Sequence, residues 1–203
     1  MKETTQHIPP QREGIQADII EMVKAADAQD AKLIFLQARE RLYAINNWSG
    51  ISEGITANFA LTDSNGNQKD DRPLPGDMIR IDIPGPGSSA GEGYDWVRVE
   101  LVEDNRHPDR DEEWSVMKVR PAEDPVKQEG VAHFLENIAT SSFIVRRHDD
   151  LVSAEVHGRN EKPNTGAKKI GDKIRNLFVG SAAAAGVGKI QWLKLVRGIL
   201  NRK

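Results

Sequence analysis

Between Ile55 and His157 apolar and polar residues alternate with a period of two, in one short run after another, with turn-forming residues between the runs. Side chains on a strand point to opposite faces in turn, so such a region folds as half-buried strands, not as core helices. Ile55, Ala57, Phe59 and Leu61 form the first apolar set, closed by the Asp63–Ser64–Asn65–Gly66–Asn67 turn; Ile79, Ile81 and Ile83 form the next. Val97, Val99 and Leu101 then alternate with Trp96, Arg98 and Glu100, and Ser115, Met117 and Val119 with Trp114, Val116, Lys118 and Arg120. Phe143 to Arg147 and Leu151 to His157 flank His148–Asp149–Asp150 as a last hairpin. Six successive strands without a βαβ rhythm predict an antiparallel sheet curling toward a β-barrel.

Helical spacing lies mainly on the flanks. Ile15, Ile19, Met22, Val23 and Ala26, then Leu33, Ile34, Leu36, Ala38, Leu42 and Ile45, predict a helical hairpin over 14–27 and 30–47, with Asp30 capping the second helix and Trp48 closing the pair on the core. Val131, Phe134, Leu135 and Ile138 suggest a short helix before the last hairpin. Toward the C-terminus Ile170, Ile174, Leu177 and Phe178 predict one helix; Gly180–Gly188 reads as a small-residue hinge, and Lys189–Asn201 as a basic amphipathic helix. The expected fold class is therefore α+β, with a flexible leader over 1–13, a barrel-like domain over 14–162 with N-terminal helices, and a basic helical arm over 163–203.

Charge divides along the same boundary. From Pro163 onward nine Lys and Arg face one acidic residue, Asp172, while the preceding 162 residues carry a net −11, so the formal −3 of the whole chain conceals an acidic body with a basic arm. Such an arm seeks acidic surface on its own body, on a partner or second copy, or on an anionic membrane. Nucleic acid is disfavoured, because the apolar face of the last helix itself requires burial.

Several chemistries are excluded or unsupported. The chain has no cysteine, which removes thiol catalysis, disulfides and Cys-ligated metals. Its five histidines show no metal-ligand spacing, so no metal or cofactor is expected. Pro84–Gly93 is glycine-rich but leads into a strand, unlike a phosphate loop. The 103–113 segment is rich in oxygen ligands without EF-hand spacing and reads as a solvated loop. The polar N-terminus has no secretory h-region, and the cytoplasm is the expected compartment.

The sequence singles out no catalytic residue. Trp96, Arg98 and Trp114 mark a polar strand face with the aromatic and Arg content of binding surfaces. Glu155, His157 and Arg159 form a polar cluster on the last strand, on the face opposite Val152, Ala154 and Val156. Trp192, Lys194 and Arg197 are the candidate docking residues of the arm. Two readings follow: a non-enzymatic binding or assembly module whose arm docks on a protein partner or second copy, or a small-molecule-binding barrel or enzyme with a pocket between sheet and helices.

Overall fold

A computed structural model describes residues 6–52, 57–82, 94–106, 111–126, 138–162 and 184–201. In chain order they form β1 (Ile15–Lys24), α1 (Ala28–Tyr43), a 3-10 turn (Ile45–Asn47), α2 (Trp48–Ile51), β2 (Asn58–Thr62), β3 (Met78–Asp82), β4 (Tyr94–Asn105), β5 (Glu112–Pro121), β6 (Thr140–His148), β7 (Leu151–Glu161) and α3 (Ala184–Leu200). The strands make one antiparallel sheet in the order β1-β7-β6-β5-β4-β3-β2. Among the described residues the fold is α+β, as expected, but with seven strands in place of six, and the sheet stays open.

The extra strand is the segment expected as the first helix. β1 pairs with β7 from Ile15↔Glu161 to Lys24↔Leu151. Its apolar residues also fit a helix, because Ile20 and Met22 lie on the outer face and fill the gaps in the period-two pattern of Ala17, Ile19 and Val23. Pairing with β7 decides between the two periods. The true start of α1 is Asp27, whose side chain accepts from the Asp30 amide at 2.8 Å, while Asp30 reaches back to the Ala26 amide at 2.8 Å. The arrangement resembles a capping box, with Asp30 at the third helical position and not as the cap, except that Asp30 accepts from the amide one residue before the cap.

The sheet curls because its concave face wraps helices. Trp48 lies 5.3 Å from the Phe59 ring on β2 and 5.0 Å from the Phe143 ring on β6. Those two rings are thus within about 10 Å of each other, where a flat sheet would hold strands four apart at about 19 Å. Closure into a six-stranded barrel would leave room inside for side chains only. Here α1 and α3 occupy the concave side, and β1 and β2 remain edges.

α3 begins at Ala184, so the expected hinge is helical from there. Trp192, Leu195, Val196, Ile199 and Leu200 are buried in the common core with α1 and the inward residues of the sheet. Trp192 sits against Phe143 and Phe59, at 5.4 and 6.4 Å between ring centroids. Gly198 makes the close approach to α2 possible: a Cβ there would stand 2.2 Å from the Ile51 carbonyl oxygen. The apolar face that suggested docking on a partner is therefore used within the chain.

The outer face carries a second, smaller core of Trp114, Val116 and Ile144, with Ile8 and Leu101 packed against it. Leu101 reaches this side because a register shift between Val99 and Leu101 reverses the alternation. The leader supplies the cover. Its His7 ring lies 4.6 Å from Trp114, and Ser142 donates to the His7 carbonyl at 3.1 Å. Asn160, at φ 55°, accepts from the Arg12 amide at 2.7 Å and donates to the Pro10 carbonyl at 3.2 Å, fixing the turn into β1. The helices expected near 131–138 and 166–178 fall largely or wholly outside the described residues, as do the glycine-rich loop and residues 107–110. No helix among the described residues is long and apolar enough to cross a membrane.

Candidate functional site

The concave face is built from alternate residues of every strand: Ile19, Val152, Ala154, Val156, Phe143, Val145, Met117, Val119, Val97, Val99, Ile79, Ile81, Phe59 and Leu61 all join one core. Polar groups on this face divide into two kinds. The first kind is fully partnered. Glu113 and Arg147, directly opposite on β5 and β6, make a buried ion pair at 2.8 Å. Asp104 accepts from Arg39 at 2.8 Å, Arg72 at 2.6 Å, Ser115 at 2.6 Å and Tyr43 at 3.0 Å. Burial alone would raise the Asp104 carboxyl, but these donors hold it far below the usual carboxylate range, and burial beside that anion pushes the Tyr43 phenol up.

The second kind is Asp95 and Glu161. Asp95 shares the inward face with Val97 and Val99, is 8% exposed, and has a buried Oδ2 without a hydrogen-bond partner. Burial pushes its pKa up to about 7. Glu161 reaches the same face indirectly. Gly158 follows Val152, Ala154 and Val156 in the inward alternation, and a Cβ added there would meet Glu161 Oε1 at 2.2 Å, so the carboxyl occupies the space a side chain would take. Burial drives Glu161 up to about 8, with Arg159 opposing only in part. Asp95 begins β4 and Glu161 ends β7, which the antiparallel order brings to one end of the sheet, three strand spacings or about 14 Å apart along it. Two buried acids with raised pKa values can each, when protonated, donate one hydrogen bond to a polar group on an otherwise apolar molecule.

Of the residues singled out from the sequence, Glu155, His157 and Arg159 come together on the outer face. His157 is 5% exposed and has both nitrogens engaged: Nδ1 with Asp18 at 2.5 Å and Nε2 with Glu155 at 2.9 Å. Arg159 bonds Asp18 at 2.7 Å; Arg146 and Ser153 bond Glu155 at 2.9 and 2.7 Å. Burial works against the imidazolium, but hydrogen bonds to Glu155 and Asp18 prevail and raise the His157 pKa. Asp18 in turn falls to about 2: burial opposes ionisation, and its bonds with Gln16, His157 and Arg159 overcome it. With neither nitrogen free, this chain of charges fastens β1 to β7 and offers no base to a substrate.

The remaining candidates are dispersed. Trp96 and Trp114 share the outer face but lie at opposite ends of the β4–β5 pair, Trp114 under His7 and Trp96 near Gly66. Arg98 is exposed and borders an open hollow with Met78, Pro121 and Asp124. Trp192 is core, Lys194 is half-buried, and Arg197 pairs with Glu21 of β1 at 2.8 Å. Among the described residues no group of three or more acidic or His side chains is arranged to hold a metal. A cleft of about 380 Å³ lies between the end of α1 and residues 70–72, lined by Arg39, Tyr43, Asn46 and Arg72, whose two guanidinium groups already serve Asp104.

Sequence reasoning missed Asp18, Arg146, Asp95 and Glu161. Asp95 was within its reach, one step back along the Val97–Val99 alternation. Glu161 was not, because the left-handed Asn160 reverses the side on which β7 ends.

The sequence matches no known family profile and no curated protein. Solved structures similar in shape include a point mutant of norcoclaurine synthase from Thalictrum flavum with a bound transition-state analogue (15% identity, TM-score 0.38, covering 91% of this chain and 98% of that one). Ginseng major latex-like protein 151 from Panax ginseng is another (14% identity, TM-score 0.40, covering 92% and 97%). Likenesses this distant assign neither fold nor function.

Proposed function

We propose that this protein binds a small, mainly apolar molecule on the concave face of its sheet, at the end that carries Asp95 and Glu161, with a carbonyl, hydroxyl or amine of the ligand meeting one of those carboxyls. The observation that carries the reading is the buried Asp95 Oδ2 without a partner. A buried polar atom left unbonded costs about 1–3 kcal/mol, a cost a ligand group would remove. The inward alternation of Asp95 with Val97 and Val99, and a second buried acid, Glu161, at the same end of the sheet, support the same reading.

Assembly through the C-terminal helix is the weaker reading, since the apolar face of α3 faces its own core. Proton transfer by His157 is weaker still, since both ring nitrogens are held by carboxylates.

Nile red, a neutral apolar dye with a carbonyl acceptor, tests the proposal. Saturable binding at one dye per chain is expected, weakened at least fivefold by Asp95→Leu and little changed by Lys194→Ala. Absence of saturable binding to folded protein, or equal binding by Asp95→Leu, would overturn it.

A further inference from the structure

We propose that two copies of this chain pair along the free edge of β1, antiparallel, with Ile20 of each opposite Met22 of the other, joining their sheets into one. β1 is the last strand of the sheet, and no described residue pairs with its outer edge. The Ala25 amide bonds the Asp150 carbonyl at 2.7 Å, so odd-numbered residues of β1 direct their backbone groups toward β7. Asp18, Ile20, Met22 and Lys24 therefore turn their N–H and C=O groups to the open edge. The same residues carry their side chains on the outer face, where Ile20 is 48% and Met22 52% exposed, beside Leu151 at 38%. An open strand edge flanked by apolar side chains is what strand pairing between molecules requires.

The charges on the strand select a second copy of the same strand and fix its register. With Ile20 opposite Met22, the two apolar pairs sit at the centre and each Asp18, bonded to His157 and Arg159 of its own chain, meets the Lys24 of the other copy, itself 3.3 Å from its own Asp150. Centring the axis on Ile20 instead would set Asp18 against Met22. Centring it on Met22 would set Ile20 against Lys24. Only the first register matches like with like and opposite with opposite, and it gives about eight backbone hydrogen bonds from four bonded pairs. On the concave side it places Glu21 opposite its twin, each carboxylate already neutralised by Arg197 at 2.8 Å.

The chain has no cysteine, so one introduced thiol reports on the register without background. In this register two Glu21 residues form a non-hydrogen-bonded pair, with Cα atoms about 4.5 Å apart, inside the disulfide range. Under mild oxidation Glu21→Cys should give a covalent dimer at least tenfold faster than Met22→Cys, or than Asn58→Cys on the opposite sheet edge. Sedimentation of the unmodified chain at 1–200 µM should show a reversible monomer–dimer equilibrium. Lys24→Glu, at a side chain 74% exposed and 3.3 Å from Asp150, should weaken it at least fivefold with the melting temperature of the monomer little changed. A monomer throughout that range, or Glu21→Cys coupling no faster than Asn58→Cys, would overturn the proposal; faster coupling through Met22→Cys would overturn its register.

Discussion

Replacing Arg147 by Met should be among the most damaging single changes in this protein. Arg147 and Glu113 are 5% and 2% exposed at their side chains, and the guanidinium also donates to the Asp149 carbonyl at 3.2 Å. Removing the cation leaves the Glu113 carboxylate buried beside Val145 and Ser115 with its main partner gone, and breaking such a pair costs about 3–5 kcal/mol. For a chain of this size one kcal/mol corresponds to about 2–4 °C, so the melting temperature should fall by about 6–20 °C. The double variant Glu113→Leu/Arg147→Met removes both charges and should recover most of that loss, because two apolar side chains of similar volume suit the surrounding core. Urea denaturation of the four members of the cycle measures the coupling directly. A loss below about 1 kcal/mol for Arg147→Met, or a double variant worse than either single one, would refute the assignment of this pair to the sealed interior.

Gly198→Ala should destabilise by about 1–3 kcal/mol, since the obstacle at 2.2 Å is the Ile51 backbone carbonyl, which cannot rotate away as a side chain would; thermal melting checks it. The pH dependence of stability follows from the two inward acids. Both have folded pKa values, about 7 and about 8, above those of the unfolded chain, so the stability they allow is fully present below pH 4 and is lost as pH rises through those values. Asp95→Asn, which cannot ionise, should match the parent near pH 4 and exceed it at pH 8.5 in denaturant midpoint.

Much of the sheet was legible because alternation is local. β4 to β7 lie where the period-two runs placed them, longer by a few residues, β3 lies within the expected 77–83, and the turn at Asp149–Asp150 separates the last two strands as expected. β1 escaped because an edge strand whose outer face also carries Ile20 and Met22 has no clean alternation, and its partner β7 lies more than 120 residues away. Openness of the sheet was likewise invisible, since it depends on α1 and α3 claiming the concave face together. Among the site residues, the Glu155–His157–Arg159 cluster was readable from one strand, but its meaning changed once Asp18 arrived from β1 and occupied the second nitrogen of His157.

The contrast between satisfied and unsatisfied charge also tells structure from function here. Asp104 has four side-chain donors, Glu113 has Arg147, and Glu155 and Asp18 share His157 and two arginines; each ties together elements distant in sequence, such as α1 to β4 or β1 to β7. Removal of any one partner would leave a buried charge behind, which accounts for their presence as fasteners without any ligand. Asp95 fastens nothing through Oδ2 among the described residues. Its unbonded oxygen lies among residues that a leucine or asparagine would suit better, and a core under selection for stability alone has little reason to retain a carboxyl there. If a ligand supplies the missing partner, Asp95→Leu gains stability in the free protein and loses affinity at once. If the carboxyl serves no ligand, the same substitution gains stability and loses nothing.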